Sequence, residues 1–107
     1  MDSDIHELAV QIMRFVDDSF PGWVACEFLD AEGRRHELVD KYPILSHETL
    51  EPDSKYPRPG SAQCKVLSRS QDSGGRDLVR IGLLVAESTE GLSEFVVLST
   101  QLSAGAR

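Results

Sequence analysis

The 107-residue sequence has no long apolar run, and no stretch approaches the roughly 20 residues that a membrane-spanning helix needs. Its N-terminal segment, MDSDIHE, carries acidic side chains, whereas a secretory signal places positive charge before an apolar segment. We therefore expect a cytoplasmic protein that has no membrane partner.

Cysteine is scarce as well. Only Cys26 and Cys64 are present. Each lies on the apolar side of an alternating pattern, which predicts two buried thiols in a reducing compartment. No spacing of Cys and His indicates a metal site, so the sequence predicts neither a metal nor another cofactor.

Catalytic motifs are also missing. Each of His6, His36 and His47 is followed by Glu, but none has a second histidine four residues later, as a zinc-protease helix requires. There is no Gly-x-Ser-x-Gly elbow, and the glycine-rich residues 73–76 precede a strand pattern rather than a phosphate-binding helix. The sequence therefore predicts a protein that is not an enzyme. The alternative is an enzyme built from Cys64 and a histidine, which requires a reactive thiol.

Basic side chains are few in residues 1–60, where 6 Lys and Arg stand against 13 Asp and Glu. Residues 61–107 hold 5 of each sign, so the net charge of −7 belongs to residues 1–60. Phosphate binding needs clustered Lys and Arg, and this charge distribution therefore disfavours nucleic acid as a partner. It is compatible with an acidic face that binds a basic protein.

The residues that are present indicate a single domain of the α+β class over residues 1–107. Apolar residues recur at helical spacing within residues 4–18, which predicts a half-buried amphipathic helix that is capped by Asp4. These apolar residues are Ile5, Leu8, Ala9, Ile12, Phe15 and Val16.

From Trp23 the apolar period changes to two, which predicts strands at about 23–30, 34–39, 61–70, 76–85 and 92–100. Residues 30–33 are predicted to form a tight turn with Gly33 at positive φ, and the proline-rich residues 40–60 a long loop. Together these elements predict a curled five-strand antiparallel sheet, with the helix against one face or plugging one end, as in a small SH3-like or OB-like barrel. The alternative is an open sheet with the helix lying across it.

The run WVACEFLDAEGRRH at residues 23–36 is followed by Asp40-Lys41-Tyr42-Pro43, and later by Tyr56-Pro57, Gly60, Cys64 and Glu94-Phe95. Over about residues 22–102 this pattern resembles small bacterial proteins to which no activity is assigned. The resemblance implies a bacterial origin, and it implies no catalytic or binding residue.

Charge and composition lead to two hypotheses about function. The first is a non-enzymatic protein-binding module, similar to an immunity or inhibitor protein, that binds a basic partner through acidic side chains. The proposed acidic residues are Asp2, Asp4, Asp17, Asp18, Glu48, Glu51 and Asp53. The second is a small barrel that binds a small ligand or nucleic acid through Lys65, Arg69, Arg76 and Arg80. Exposed edge strands would also allow a homodimer.

Overall fold

The structure is a computed structural model, and it describes residues 5–104. Alternating apolar residues place most of this range in antiparallel strands of one sheet. The elements are β1 Ile5–Asp17, β2 Trp23–Leu29, β3 Arg35–Lys41, a one-turn helix α1 Tyr42–Leu45, β4 Arg58–Gln71, β5 Asp77–Leu83, β6 Glu87–Ser88, β7 Glu94–Leu98, a 3₁₀ turn Ser99–Gln101 and β8 Leu102–Ala104.

The prediction of an α+β fold with an N-terminal helix over residues 4–18 is wrong. Residues 5–17 form β1, the central strand of an eight-stranded sheet, and α1 is the one α-helix within residues 5–104. Leu8, Val10 and Ile12 are buried and alternate with exposed residues, which is the period of a strand. Pairing along both edges outweighs the helical pattern, because an isolated helix of this length is marginal in water.

A β-bulge in β1 explains why the spacing looks helical. Ile12 lies opposite Cys26 and Phe15 lies opposite Val24, so three steps along β1 match two steps along β2. The extra residue moves the inward-facing positions from even to odd numbers. Ile12 and Phe15 therefore both reach the core although they are three residues apart.

The strand order is β6-β3-β2-β1-β4-β5-β7, and β8 pairs with β1 beside the end of β2. β2, β3, β4, β5 and β7 overlap the five ranges predicted as strands. The sheet curls into a half-barrel around the apolar core. Fully buried side chains come from every long strand, and the largest are Leu8, Ile12, Leu38, Ile81, Val24, Val79 and Val97.

One end of the half-barrel is filled by α1 and the loop of residues 46–57. Leu45 and Leu50 are buried there. The loop predicted over residues 40–60 is shorter in the structure. β3 extends to Lys41, α1 follows it, and β4 begins at Arg58, which leaves residues 46–57 as the loop. Within residues 5–104, no helix is long and apolar enough to cross a membrane.

The half-barrel has a seam where the turn between β2 and β3 approaches the outer edge of β7. The backbone N–H of Ala31 donates to the carbonyl of Val96 at 2.8 Å, and the rings of His36 and Phe95 lie 4.7 Å apart. Residues 84–93, which we call the crossover segment, leave β5, pair with β3 through β6 and return to β7. The seam therefore brings together three separate parts of the chain.

Candidate functional site

A groove of about 770 Å³, which we call the seam groove, runs along this seam. One wall is the turn between β2 and β3, and the other is the outer face of β5 and β7 with the turn between β4 and β5. Leu78, Leu92 and Val96 give it an apolar surface, and Leu92 and Val96 are both exposed. The arginines that line the groove are Arg34, Arg76 and Arg80.

The turn between β2 and β3 is built around Asp30. Its Oδ1 accepts hydrogen bonds from the backbone N–H groups of Glu32 at 2.9 Å and Arg34 at 3.0 Å. The N–H of Gly33 donates to the Asp30 carbonyl, and Gly33 takes the predicted positive φ of 81°. This turn fixes the backbone position of Arg34, which directly precedes β3.

The turn between β4 and β5 repeats that arrangement. Oδ1 of Asp72 accepts from the backbone N–H groups of Gly74 and Arg76, both at 2.9 Å, and Gly75 has a φ of 86°. Hydrogen bonds from the side chain and backbone of Arg76 hold the pKa of Asp72 below its ordinary value. The Nη2 of Arg76 also donates to the carbonyl of Ala31 at 3.2 Å, which joins the two turns.

Both turns have the sequence Asp-x-x-Gly-Arg, at residues 30–34 and 72–76. In each, the aspartate caps the turn, the glycine supplies the positive φ, and the arginine follows at the start of the return strand. The repeat is visible in the sequence and is the signal that could have indicated this site. Only the fold places the two copies beside one groove.

His36 lies at the inner end of the groove and is held between two carboxylates. Its Nε2 is 2.8 Å from Oδ2 of Asp30, and its Nδ1 is 2.8 Å from Oε1 of Glu90 on the crossover segment. The side chain is buried, and its ring packs against Phe28 and Phe95. The alternation of His36 with buried Leu38 was a sequence signal for this inward position.

The two carboxylates determine the charge of His36. Burial lowers the pKa of the imidazole, but hydrogen bonds to Asp30 and Glu90 outweigh burial and hold the pKa above its ordinary value of 6.5. Burial also raises the pKa of Asp30, and here too hydrogen bonds, chiefly from His36, bring it below 3.8. The geometry fits an imidazolium that donates from both nitrogens.

This arrangement connects the turn to the crossover segment, and neither ring nitrogen is free to accept a proton from a substrate. Cys64 is fully buried, and burial raises the pKa of its thiol to about 11. Burial and the raised pKa both disfavour the reactive thiolate that an enzyme built on Cys64 would need. Among residues 5–104, no group of His, Cys, Asp and Glu side chains is arranged to hold a metal ion.

A second candidate surface, which we call the acidic end, comprises the end of β1 with the loop after it and the loop of residues 46–57. The loop after β1 is joined to α1, because the N–H of Tyr42 donates to the carbonyl of Gly22, and residues 46–57 follow α1 along the chain. The side chain of Phe20 is 97% exposed there. The exposed carboxylates of the acidic end are Asp17, Asp18, Glu48, Glu51 and Asp53.

Five of the seven proposed acidic residues are exposed in the structure, two of them at the end of β1 and three in the loop of residues 46–57. Asp2 and Asp4 lie outside the described residues. Glu48 forms an ion pair with Arg58. The Asp17 carboxylate accepts from the backbone N–H of Ser19 at 2.8 Å, which lowers the pKa of Asp17.

The four basic residues of the alternative hypothesis are divided. Arg76 and Arg80 line the seam groove, whereas Lys65 and Arg69 are exposed on β4 outside its lining. Arg80 forms an ion pair with Glu94 across β5 and β7. The groove therefore uses half of the predicted basic set, together with Arg34, which sequence reasoning did not include.

Comparison with known proteins gives no match to a family model, a curated protein or a solved structure. Function is therefore inferred from the geometry of this chain alone.

Proposed function

We propose that this protein is a non-enzymatic protein-binding module that presents its acidic end to a basic protein, in the manner of an immunity or inhibitor protein. The observation that carries the proposal is the 97% exposure of Phe20 beside Asp17 and Asp18. Aromatic side chains anchor protein interfaces, and burying one phenylalanine contributes about 1.5–3 kcal/mol. Charged side chains around such an anchor form the polar rim of an interface.

The loop that carries Phe20 is held in place before any partner binds. Ser19 donates its backbone N–H to Asp17, and the N–H of Gly22 donates to the Ser19 carbonyl at 2.7 Å. The carbonyl of Gly22 accepts from the N–H of Tyr42 at 2.9 Å, which ties the loop to α1. A fixed anchor loses little conformational entropy on binding, and this supports a role in recognition.

Charge supports a basic partner. Residues 1–60, which include the acidic end, carry 13 acidic side chains and 6 basic ones. An excess of negative charge accelerates association with a positive surface and makes the rate sensitive to salt. A cytoplasmic location agrees with this proposal, because free thiols such as Cys26 and Cys64 persist in a reducing compartment.

The test compares capture of partners by tagged protein from a lysate of the native host, at low and at high salt. The variants are Phe20→Ser, the double reversal Asp17→Lys/Asp18→Lys, and Leu67→Ser. Leu67 is a matched control because it is also an exposed apolar residue, about 30 Å along β4 from Arg58. A captured protein is then purified and titrated against each variant.

We expect a basic partner whose Kd rises about 30-fold with Phe20→Ser, the loss typical of an interface anchor. The double reversal should weaken binding and flatten its dependence on salt. Leu67→Ser should bind as the wild type does. Equal losses with Phe20→Ser and Leu67→Ser, or capture of copies of the protein itself alone, would contradict the proposal.

A further inference from the structure

We infer that the seam groove binds a small amphipathic anion, with an oxyanion head held by arginine side chains and an apolar body lying over Leu78, Leu92 and Val96. The head is a carboxylate or a phosphate, which present the same chemistry to a guanidinium. This site is separate from the acidic end and does not depend on the proposed function.

The first argument is that three of the four acidic side chains that line the groove are already occupied, whereas the fourth, Glu32, is exposed and lies 3.7 Å from Arg34. Both oxygens of Asp30 accept hydrogen bonds within the turn and from His36. Both oxygens of Asp72 accept from its own turn and from Arg76. Glu94 is paired with Arg80. These carboxylates have little capacity left to bind a cation.

The second argument is that the arginines keep N–H donors that no other group within residues 5–104 uses. Each guanidinium has five N–H donors. Arg76 uses its Nε and one terminal nitrogen on Asp72 and Ala31, and Arg80 uses one nitrogen on Glu94. The contact of Arg34 with Glu32, at 3.7 Å, is too long for a hydrogen bond. Apart from the Glu32 carboxylate, the unused hydrogen-bonding capacity of the groove is therefore made up mainly of charged donors, which favours an anion.

The third argument is that the site is already assembled. Ala31 is held on both sides, since its N–H donates to Val96 and its carbonyl accepts from Arg76. The two Asp-x-x-Gly-Arg turns are thereby fixed to each other and to β7. Arg76 and Arg80 are held by hydrogen bonds in advance, and a site positioned in this way loses less entropy when a ligand binds.

The apolar surface and the volume indicate the size of the ligand body. Leu92 is 46% and Val96 is 41% exposed, so a ligand could still remove considerable apolar area from water. A volume of about 770 Å³ lies within the range of small-molecule sites. A head group without an apolar body would leave this surface exposed.

The test titrates the full chain with decanoate, decyl phosphate, decanol, acetate and inorganic phosphate, and monitors backbone amides by NMR. We expect both long-chain anions to shift amides at Leu78, Leu92 and Val96, and the tighter of the two identifies the preferred head group. Decanol lacks the charged head, and acetate and inorganic phosphate lack the apolar chain. Each should therefore bind at least about tenfold more weakly than the long-chain anions.

The variants Arg34→Gln and Arg80→Gln should each weaken binding of the long-chain anions about tenfold. Arg69→Gln is the matched control, since Arg69 is exposed on the neighbouring strand outside the groove, and it should bind normally. Decanol binding as tightly as decanoate, equal weakening by Arg69→Gln, or no amide shifts in the groove would each overturn the inference.

Discussion

The position of His36 between two carboxylates predicts that the protein loses stability as the pH rises above neutrality. The folded state holds the pKa of His36 above 6.5, because the hydrogen bonds to Asp30 and Glu90 outweigh burial. A group whose pKa is raised on folding stabilises the folded state. This contribution is fully present below the pKa of the unfolded state and is lost as the pH rises through the pKa of the folded state. The decline should therefore begin near pH 6.5 and end above the folded pKa.

The size of the decline follows from the contacts. Deprotonation leaves one ring nitrogen facing a carboxylate without a proton between them, so one charged hydrogen bond is lost. A bond of this kind contributes about 1.5–3 kcal/mol. Because His36 exchanges one proton, its contribution to the free energy of unfolding cannot fall faster than about 1.4 kcal/mol per pH unit. The charged groups that raise the pKa of His36 are Asp30 and Glu90.

The assay is urea unfolding between about pH 6 and pH 9 at constant ionic strength, followed by the fluorescence of Trp23, the one tryptophan. His36→Gln should be less stable at low pH and should have a flatter pH profile. His47→Gln, which removes an exposed histidine from the loop of residues 46–57, should keep the wild-type profile. If His36→Gln showed the same dependence of unfolding free energy on pH as the wild type, the reasoning would be refuted.

Two further predictions concern the core. Gly60→Ala should destabilise the protein by about 1–3 kcal/mol, because the new Cβ would lie 2.6 Å from the carbonyl oxygen of Leu45 and 2.7 Å from Cδ1 of Ile12. Gly82→Ala, also in a strand but with its nearest neighbour at 3.5 Å, should stay within about 0.5 kcal/mol in the same urea experiment, and equal effects would show the packing argument to be wrong. Burial raises the pKa of Cys26 to about 12 and that of Cys64 to about 11, so a thiol reagent near pH 8 should label both only after denaturation. Rapid labelling of either in the native protein would contradict their burial.

The hairpins could be predicted from the sequence because their signals are local. Alternation from Trp23 onward identifies β2 and β3, and Gly33 adopts the positive φ that the turn requires. The buried positions of Cys26 and Cys64 also follow from alternation, as predicted. In each case the residues that carry the pattern are also the residues that form the structure.

β1 could not be predicted in this way because its pattern depends on a bulge. The three-residue step from Ile12 to Phe15 indicates a helix when no partner strand is known, and it indicates a bulged strand only once β2 lies beside it. Tertiary pairing therefore overrides the helical pattern that the sequence shows locally.

The error in β1 also explains why the seam groove could not be predicted. Without β1, the sequence gives no reason for a sheet in which β2 and β4 are separated by a central strand. With β1 in place, the strand order continues to β3 on one side and β7 on the other, and the curl of the sheet brings these distant strands together. The two Asp-x-x-Gly-Arg turns meet only because of that curl, and Arg76 reaches Ala31 across the seam. The same curl brings Glu90 within hydrogen-bond distance of His36.

The arrangement of the groove arginines and the two hydrogen bonds of His36 therefore both depend on the central strand β1. A variant that disrupts the pairing of β1 should weaken both together.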